Sequence, residues 1–283
     1  MTWWTTLTHP LSYAFFQKGL VVATISGALL ALIGVFITLR GMSYIGHGLA
    51  HAIFGGFAAS QLINASLFLW GAGAWGIASA LAINTVTRKR GISADAAIGV
   101  ITTSSFAIGV ALLTKFGARG PSFDNALFGS ILGISTSQLI LLAVVALAAG
   151  AVVFFRYRAL LFTTFDAEVA NVSGVRVART DALLMCVLSL AILATLSVIG
   201  VTLVAAMLVV PSVIARMLTN SFPRMLWLSS VIGALCGAIG MYLSYFAAVP
   251  SGTMIVLVGG TVFAVVLLAT GKRGLRRTVG LGH

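Results

Sequence analysis

Apolar runs of about twenty residues recur from one end of this chain to the other, interrupted only by short clusters of Arg, Lys, Gly or Pro. A helix advances about 1.5 Å per residue, so each run is long enough to cross the roughly 30 Å of hydrocarbon in a bilayer. In that solvent every backbone N–H and C=O must find its partner within the protein, which leaves helices and closed barrels as the spanning structures. Outer-membrane strands would alternate apolar and polar residues over ten-residue segments, and no such alternation is seen. Runs bounded by charge, Gly or Pro predict spans near 19–39, 44–64, 72–87, 94–114, 136–155, 181–198, 201–218, 226–247 and 253–271, the sixth and seventh being the least separable. A mean hydropathy of +1.11 agrees with this reading. The expected fold is all-α: a polytopic integral membrane protein with eight or nine transmembrane helices, residues 1–283 forming a single transmembrane domain.

The net charge of +12 would suit nucleic acid, but the seventeen Lys and Arg residues cluster at the ends of spans, where they set orientation. No nucleic-acid partner is expected. Placing Arg40 inside collects fourteen of the seventeen on the inner face: Arg40, Arg88 to Arg90, Arg156, Arg158, Arg176, Arg179, Arg216, Arg224, Lys272, Arg273, Arg276 and Arg277. Lys18, Lys115 and Arg119 remain outside. This asymmetry predicts a cytoplasmic carboxyl terminus and, with nine spans, an outer amino terminus; merging the sixth and seventh spans would move one of them. The opening "MTWWTTLTHPLSYAFF" lacks a basic n-region and a small-residue cleavage site, so no signal peptide is expected. Cys186 and Cys236 fall within apolar runs and read as buried small residues. The closing basic tail, 272–283, faces anionic membrane lipid.

Two loops exceed a turn. The outer one, 115–135, is interrupted by Gly and Pro and carries Asp124, which reads equally as a cation attractor at the outer mouth or as a turn residue. The inner one, 156–181, holds three of the five acidic residues. Within it "FDAEVANVSGV" predicts a short helix with Asp166 as N-cap and Gly174 as a left-handed stop. Such a helix is either a solvated amphipathic loop or a docking element. Asp95, at the inner start of a span, complements a helix dipole. Pro211 lies inside an apolar run and should kink or break its helix.

"GMSYIGHGLAHAIFGG", residues 41–56, places two of the four histidines, His47 and His51, among small and apolar residues. Positions i and i+4 share one helix face, so both rings can aim at one point and half-fill a tetrahedral metal site. The alternative is a pair bonded to carbonyls of neighbouring helices or lying near the head groups. Polar groups within a span are costly and usually serve a pathway, which favours the metal reading. Counted from Arg40, the rings lie about 10–16 Å in, near the bilayer middle. Gly46, Gly48, Ala50, Ala52, Gly55 and Gly56 let another helix approach closely. A membrane metalloprotease would need H-E-x-x-H where this chain has "HGLAH". A haem-carrying electron carrier could also use buried histidines, and a visible spectrum would distinguish it.

The E-V-A-x-x-x-G pattern of 168–174 between two spans resembles the coupling helix of ABC importer permeases. "LRGMSYIGHGLAHAIFGG", "ISADAAIGVITTSSFAIGVAL", "LFTTFDAEVANVSGV", "VIGVTLVAAMLVVPSVIARML" and "VPSGTMIVLV" resemble, in order, successive blocks of the permease subunit of the zinc and manganese branch of those importers, over roughly residues 20–272. The resemblance implies a prokaryotic plasma (inner) membrane protein working as a homodimer and fed by an extracytoplasmic metal-binding protein. A separate ABC ATPase subunit would supply the energy, so the chain itself is not an enzyme; no G-x-x-x-x-G-K-[ST] motif occurs in it. It further implies that Asp166, Glu168, Ala170 and Gly174 couple to the ATPase and that Pro211 lies near the pathway. The family pattern at the histidines is Asp followed four residues later by His. His51 matches as a metal ligand, and His47 stands in the aspartate's place. Imidazole for carboxylate softens the site and favours Zn²⁺, with Mn²⁺ or iron as the alternative cargo and no permanently bound cofactor. An ion-gradient-driven carrier is the rival reading, and it would have no need of the 168–174 helix.

Overall fold

A computed structural model describes residues 9–63, 68–88, 92–116 and 134–279. After a short 3-10 turn at His9–Ser12 come α1 (Ala14–Leu39), α2 (Ile45–Ile63), α3 (Phe68–Thr87), α4 (Ala94–Phe116) and α5 (Thr136–Phe155). Two short helices follow, α6 (Tyr157–Phe165) and α7 (Ala167–Val172), and then α8 (Val177–Ile199), α9 (Val201–Leu218), α10 (Phe222–Ala247) and α11 (Ser251–Val279). Among the described residues nine long helices occur, and they fall on the nine predicted spans. Seven are apolar and long enough to cross a membrane. The other two are α2, whose two histidines lower its hydropathy, and α9, which contributes the apolar stretch Val204–Leu218.

The uncertain boundary between the sixth and seventh spans is a single residue. Gly200 joins α8 to α9 with φ +81° and ψ 159°, a backbone conformation open essentially to glycine alone. The chain therefore turns there into a second helix. Pro211, by contrast, does not break α9, which runs continuously from Val201 to Leu218. The Ser212 hydroxyl donates to the Val209 carbonyl at 2.7 Å and lies 2.6 Å from Thr38 Oγ1 of α1, so a side chain supplies polar contacts beside the missing proline N–H. The carboxyl-terminal helix also continues further than expected, its backbone remaining helical through the start of the basic tail to Val279.

Helix α1 is the centre of the bundle, packed along α10 and also against α9, α5 and α8. Its contact with α10 is made of backbone: a methyl at Gly27 would lie 2.1 Å from the Gly233 oxygen, and one at Gly233 would lie 2.3 Å from the Gly27 oxygen. Without a hydrophobic drive between helices in lipid, such close packing and interhelical hydrogen bonds provide the association. Ser229 Oγ accordingly donates to the Ala31 carbonyl at 2.8 Å. Helices α2, α3 and α4 form a second group, tied to the first through α8 and α9.

Contacts between distant segments define the two ends of the bundle. The end of α1 (Arg40), the end of α3 (Arg88), α6 (Thr163, Thr164) and the start of α8 (Asp181) meet at one end of the bundle. Lys18 Nζ reaches Thr136 Oγ1 at 3.3 Å at the other. The charge asymmetry likewise places the members of each group on one common face, inner for the first and outer for Lys18.

Candidate metal pathway and coupling surface

Helix α1 ends in a left-handed residue, Gly41 (φ +70°), and the chain turns back into α2 at Ile45. Residues 40–44 therefore add no depth. His47 and His51 stand in the first two turns of α2, about 3 and 9 Å from its start at 1.5 Å per residue, and not at mid-helix as counting from Arg40 implied.

The two rings do share a face. Their centroids are 4.4 Å apart with 50° between planes, and both are half-buried. Tyr44, 55% exposed, continues the row on one side at 5.5 Å from His47, and Phe106 of α4 meets His51 edge-on at 5.2 Å. Both flanks of this row are packed: Gly48 on Ile98 and Thr102 and Gly55 on the Ser105 backbone of α4 on one side, and Gly46 on Leu208 of α9 on the other. The small residues thus close the flanks of α2 and leave Tyr44, His47 and His51 on the strip between them. His51 Nδ1–H donates to the His47 carbonyl at 2.9 Å, which fixes the tautomer and leaves Nε2 with its lone pair free. One of the two rings thus has a carbonyl partner, but within its own helix and not on a neighbouring one. Among the described residues no group of three or more His, Cys, Asp or Glu side chains comes together, so the described part of the chain brings two imidazoles and no third ligand of those types.

Asp95 is exposed in the first turn of α4, one turn long in its effect on the dipole, while Ser93 Oγ accepts from the Ala96 N–H at 3.2 Å. It does not join the histidines. Asp124, most of the 115–135 loop and residues 280–283 lie outside the described residues. Pro211 is buried within the bundle. Cys236 is buried and Cys186 half-buried, both free.

The inner loop folds as the sequence predicts. Asp166 caps α7, its Oδ1 accepting from the Glu168 and Val169 N–H groups at 2.9 and 3.0 Å. At the other end Gly174 adopts φ +81°, Val175 N–H donates to the Ala170 carbonyl and Gly174 N–H to that of Asn171, a Schellman stop. Glu168 is exposed, but Ala170 is fully buried against the bundle. The expectation that Ala170 meets a partner is therefore corrected: it seats α7, and the outward surface beside Glu168 is made by Phe165, Val169 and Val172, the last 90% exposed.

What anchors this loop was missed in the sequence. Arg40 Nη1 donates to Asp181 Oδ1 at 2.8 Å, while its Nη2 and Nε reach Thr163 and Thr164 Oγ1 at 3.0 and 3.3 Å. Arg88 takes the second oxygen of Asp181. Around Phe222 of α10 the rings of Phe36, Tyr157 and Phe165 gather at 5.5 to 5.8 Å. One carboxylate thus ties α1, α3, α6 and α8 together directly beneath the outward surface. The available signal was that Asp181 is one of only five acids and sits at a span end among arginines.

Comparison with known proteins agrees with this architecture. The chain is 37% identical over 265 residues to the "Manganese transport system membrane protein MntC" of Halalkalibacterium halodurans, covering 94% of this chain and 90% of that one. It is 31% identical over 274 residues to the "Chelated iron transport system membrane protein YfeC" of Yersinia pestis, covering 96% and 92%. Among solved structures, "PsaBC from Streptococcus pneumoniae in complex with Fab" superposes with a TM-score of 0.82 at 30% identity, covering 93% of this chain and 95% of that one. A family model described as "ABC 3 transport family" matches residues 12–270, which span the helices α1 to α10 and most of α11. With its bundle of long apolar helices and that match over nearly its whole length, this multi-pass membrane protein belongs to the ABC 3 transport family.

Proposed function

We propose that the chain is the permease of an ATP-driven importer of a divalent transition metal, manganese first and iron second, working as a homodimer in a prokaryotic plasma membrane. The observation that carries this is the His47–His51 pair: two adjacent imidazoles on an otherwise closed helix, aimed at an open side with no third ligand from the described part of the same chain. A second copy across a two-fold axis would supply the other two nitrogens. Two open positions on such a centre, filled by water, complete the six-coordination that Mn²⁺ takes. Softness alone favours zinc, as the sequence argument had it. No relative described above is named for zinc, however, and two are named for manganese and iron, so the zinc preference is withdrawn in favour of the alternative.

In this reading the cargo, delivered by an extracytoplasmic binding protein, rests transiently between the paired histidines. Transport requires a site weak enough to release what it binds, and the lack of a carboxylate beside the rings serves that. The ATPase subunit grips the outward surface of α6 and α7, with Glu168 and the exposed Phe165, Val169 and Val172 as contacts, Asp166 and Gly174 fixing the helix ends, and Ala170 holding it to the bundle. Uptake of Mn²⁺, Fe²⁺ and Zn²⁺ by proteoliposomes holding the permease with its ATPase tests the proposal. Transport without ATP would favour a gradient-driven carrier, and zinc uptake exceeding that of both other ions would restore the softness argument.

A further inference from the structure

Helices α5 and α10 flank α1 without packing on each other, and a cleft of about 970 Å³ opens between them at the cytoplasmic end. Its floor is Leu32 of α1, about 12 Å from Arg40 at 1.5 Å per residue, and its walls include Val153, Leu226 and Trp227. The rim is formed where α5 passes into α6, and it carries Arg156 and Arg158. Both arginines are exposed, and neither side chain forms an ion pair or hydrogen bond with a described residue. Their neighbours at the same face differ: Arg40 and Arg88 are both engaged by Asp181. Asp181 therefore decides which cations remain free, and it leaves two of them above an apolar slot. Trp227, 68% exposed, and Phe155, 80% exposed, are aromatic rings of the kind found at a bilayer interface.

We infer that this cleft seats an anionic phospholipid of the cytoplasmic leaflet, acyl chains against Leu32, Val153, Leu226 and Trp227 and phosphate at Arg156 and Arg158. A guanidinium offers the forked donors that suit a phosphate, and charge complementarity selects an anionic head group over a zwitterionic one. The slot runs inward from the rim, as acyl chains hang from a head group. A bound lipid would thereby join the end of α5 to α10 beside the loop that carries α7. The site is independent of which ion is carried.

Native mass spectrometry of the delipidated permease with its ATPase, titrated with phosphatidylglycerol or phosphatidylcholine of identical chains, tests this. Each juxtamembrane arginine favours an anionic lipid about fivefold, so the wild type should retain phosphatidylglycerol about 25-fold over phosphatidylcholine. Arg156→Gln with Arg158→Gln should bring that ratio near one, while Arg156→Lys with Arg158→Lys should keep most of it. Gly150 lines the cleft, and a methyl there meets nothing within 4 Å, so Gly150→Leu should fill the slot without a clash at Cβ and lower occupancy by both lipids about tenfold. Equal retention of the two lipids by the wild type, or a preference that survives the double Gln variant, overturns the inference. Wild-type occupancy in Gly150→Leu does so too, because the arginines would then be attracting lipid to the surface and not into the cleft.

Discussion

Gly55→Ala is the substitution that best tests how the helix packing holds the histidines. Gly55 lies one turn beyond His51, where α2 crosses α4. A methyl there would sit 2.3 Å from the Ser105 carbonyl oxygen, and a methyl at Gly109 would sit 2.5 Å from the Gly55 Cα. The obstacle is backbone, so no side chain can swing aside. Non-bonded atoms settle about 3.5 Å apart, so the helices must part by about 1 Å at the crossing. Overpacking of this kind costs about 1–3 kcal/mol, and each kcal/mol lowers the melting midpoint of a chain this long by about 2–4 °C. The same movement carries His51 away from Phe106, the residue after Ser105, against which its ring now rests at 5.2 Å. Nitrogen-to-metal bonds are about 2 Å long and tolerate shifts of only about 0.2 Å, so a displacement of about 1 Å should remove most of the uptake. Melting of the purified complex and Mn²⁺ uptake by proteoliposomes are the two readouts. Gly260→Ala is the control, since a methyl at that exposed position meets nothing within 4 Å and should change neither. If Gly55→Ala melts and transports as the wild type does, the close approach of α2 to α4 does not position the site.

The remaining expectations concern the ligands, the clamp and the docking surface. His51→Ala should abolish Mn²⁺ uptake with the ATPase still bound, and His47→Asp should retain it; normal uptake by a chain lacking both rings would remove the site. Protons compete with a metal ion for an imidazole nitrogen, so uptake should fall on acidification, and an unchanged rate at about pH 5.5 would argue against histidine ligands. Asp181→Asn strips the carboxylate from Arg40 and Arg88, whose exposures of 10% and 37% lie between buried and surface pairs, so a loss of about 1–3 kcal/mol is expected, together with more ATP hydrolysed per ion carried. Unchanged coupling in that variant would make the clamp a matter of stability alone. Glu168→Lys should weaken ATPase association without lowering the melting midpoint of the permease itself, and full association would move the docking surface elsewhere.

The helices were legible because lipid constrains each run locally. An apolar stretch of sufficient length has one low-energy form there, whatever it packs against, and so the nine predicted spans match the nine long helices of the described residues to within a few residues at most ends. Local chemistry likewise reveals the α7 cap at Asp166 and its stop at Gly174, since both depend on residues within one turn. The i, i+4 spacing already puts His47 and His51 on one face.

Tertiary structure decided everything that depends on partners far along the chain. The depth of the histidines was misjudged because a turn at Gly41, and not a continuous helix, follows Arg40. Ala170 looked like a contact residue until α8 and the bundle covered it. The role of Asp181 arises from Arg40 and Arg88, 141 and 93 residues away, and no local pattern announces such a meeting. By itself, then, the sequence determined which segments cross the membrane and how they are capped, because solvent and backbone act over one turn. Which face of α2 stays open, which arginines stay free and where the loop is clamped were decided by helix packing, because backbone contacts such as Gly27 with Gly233 and Gly55 with Gly109 exist only once distant segments have met.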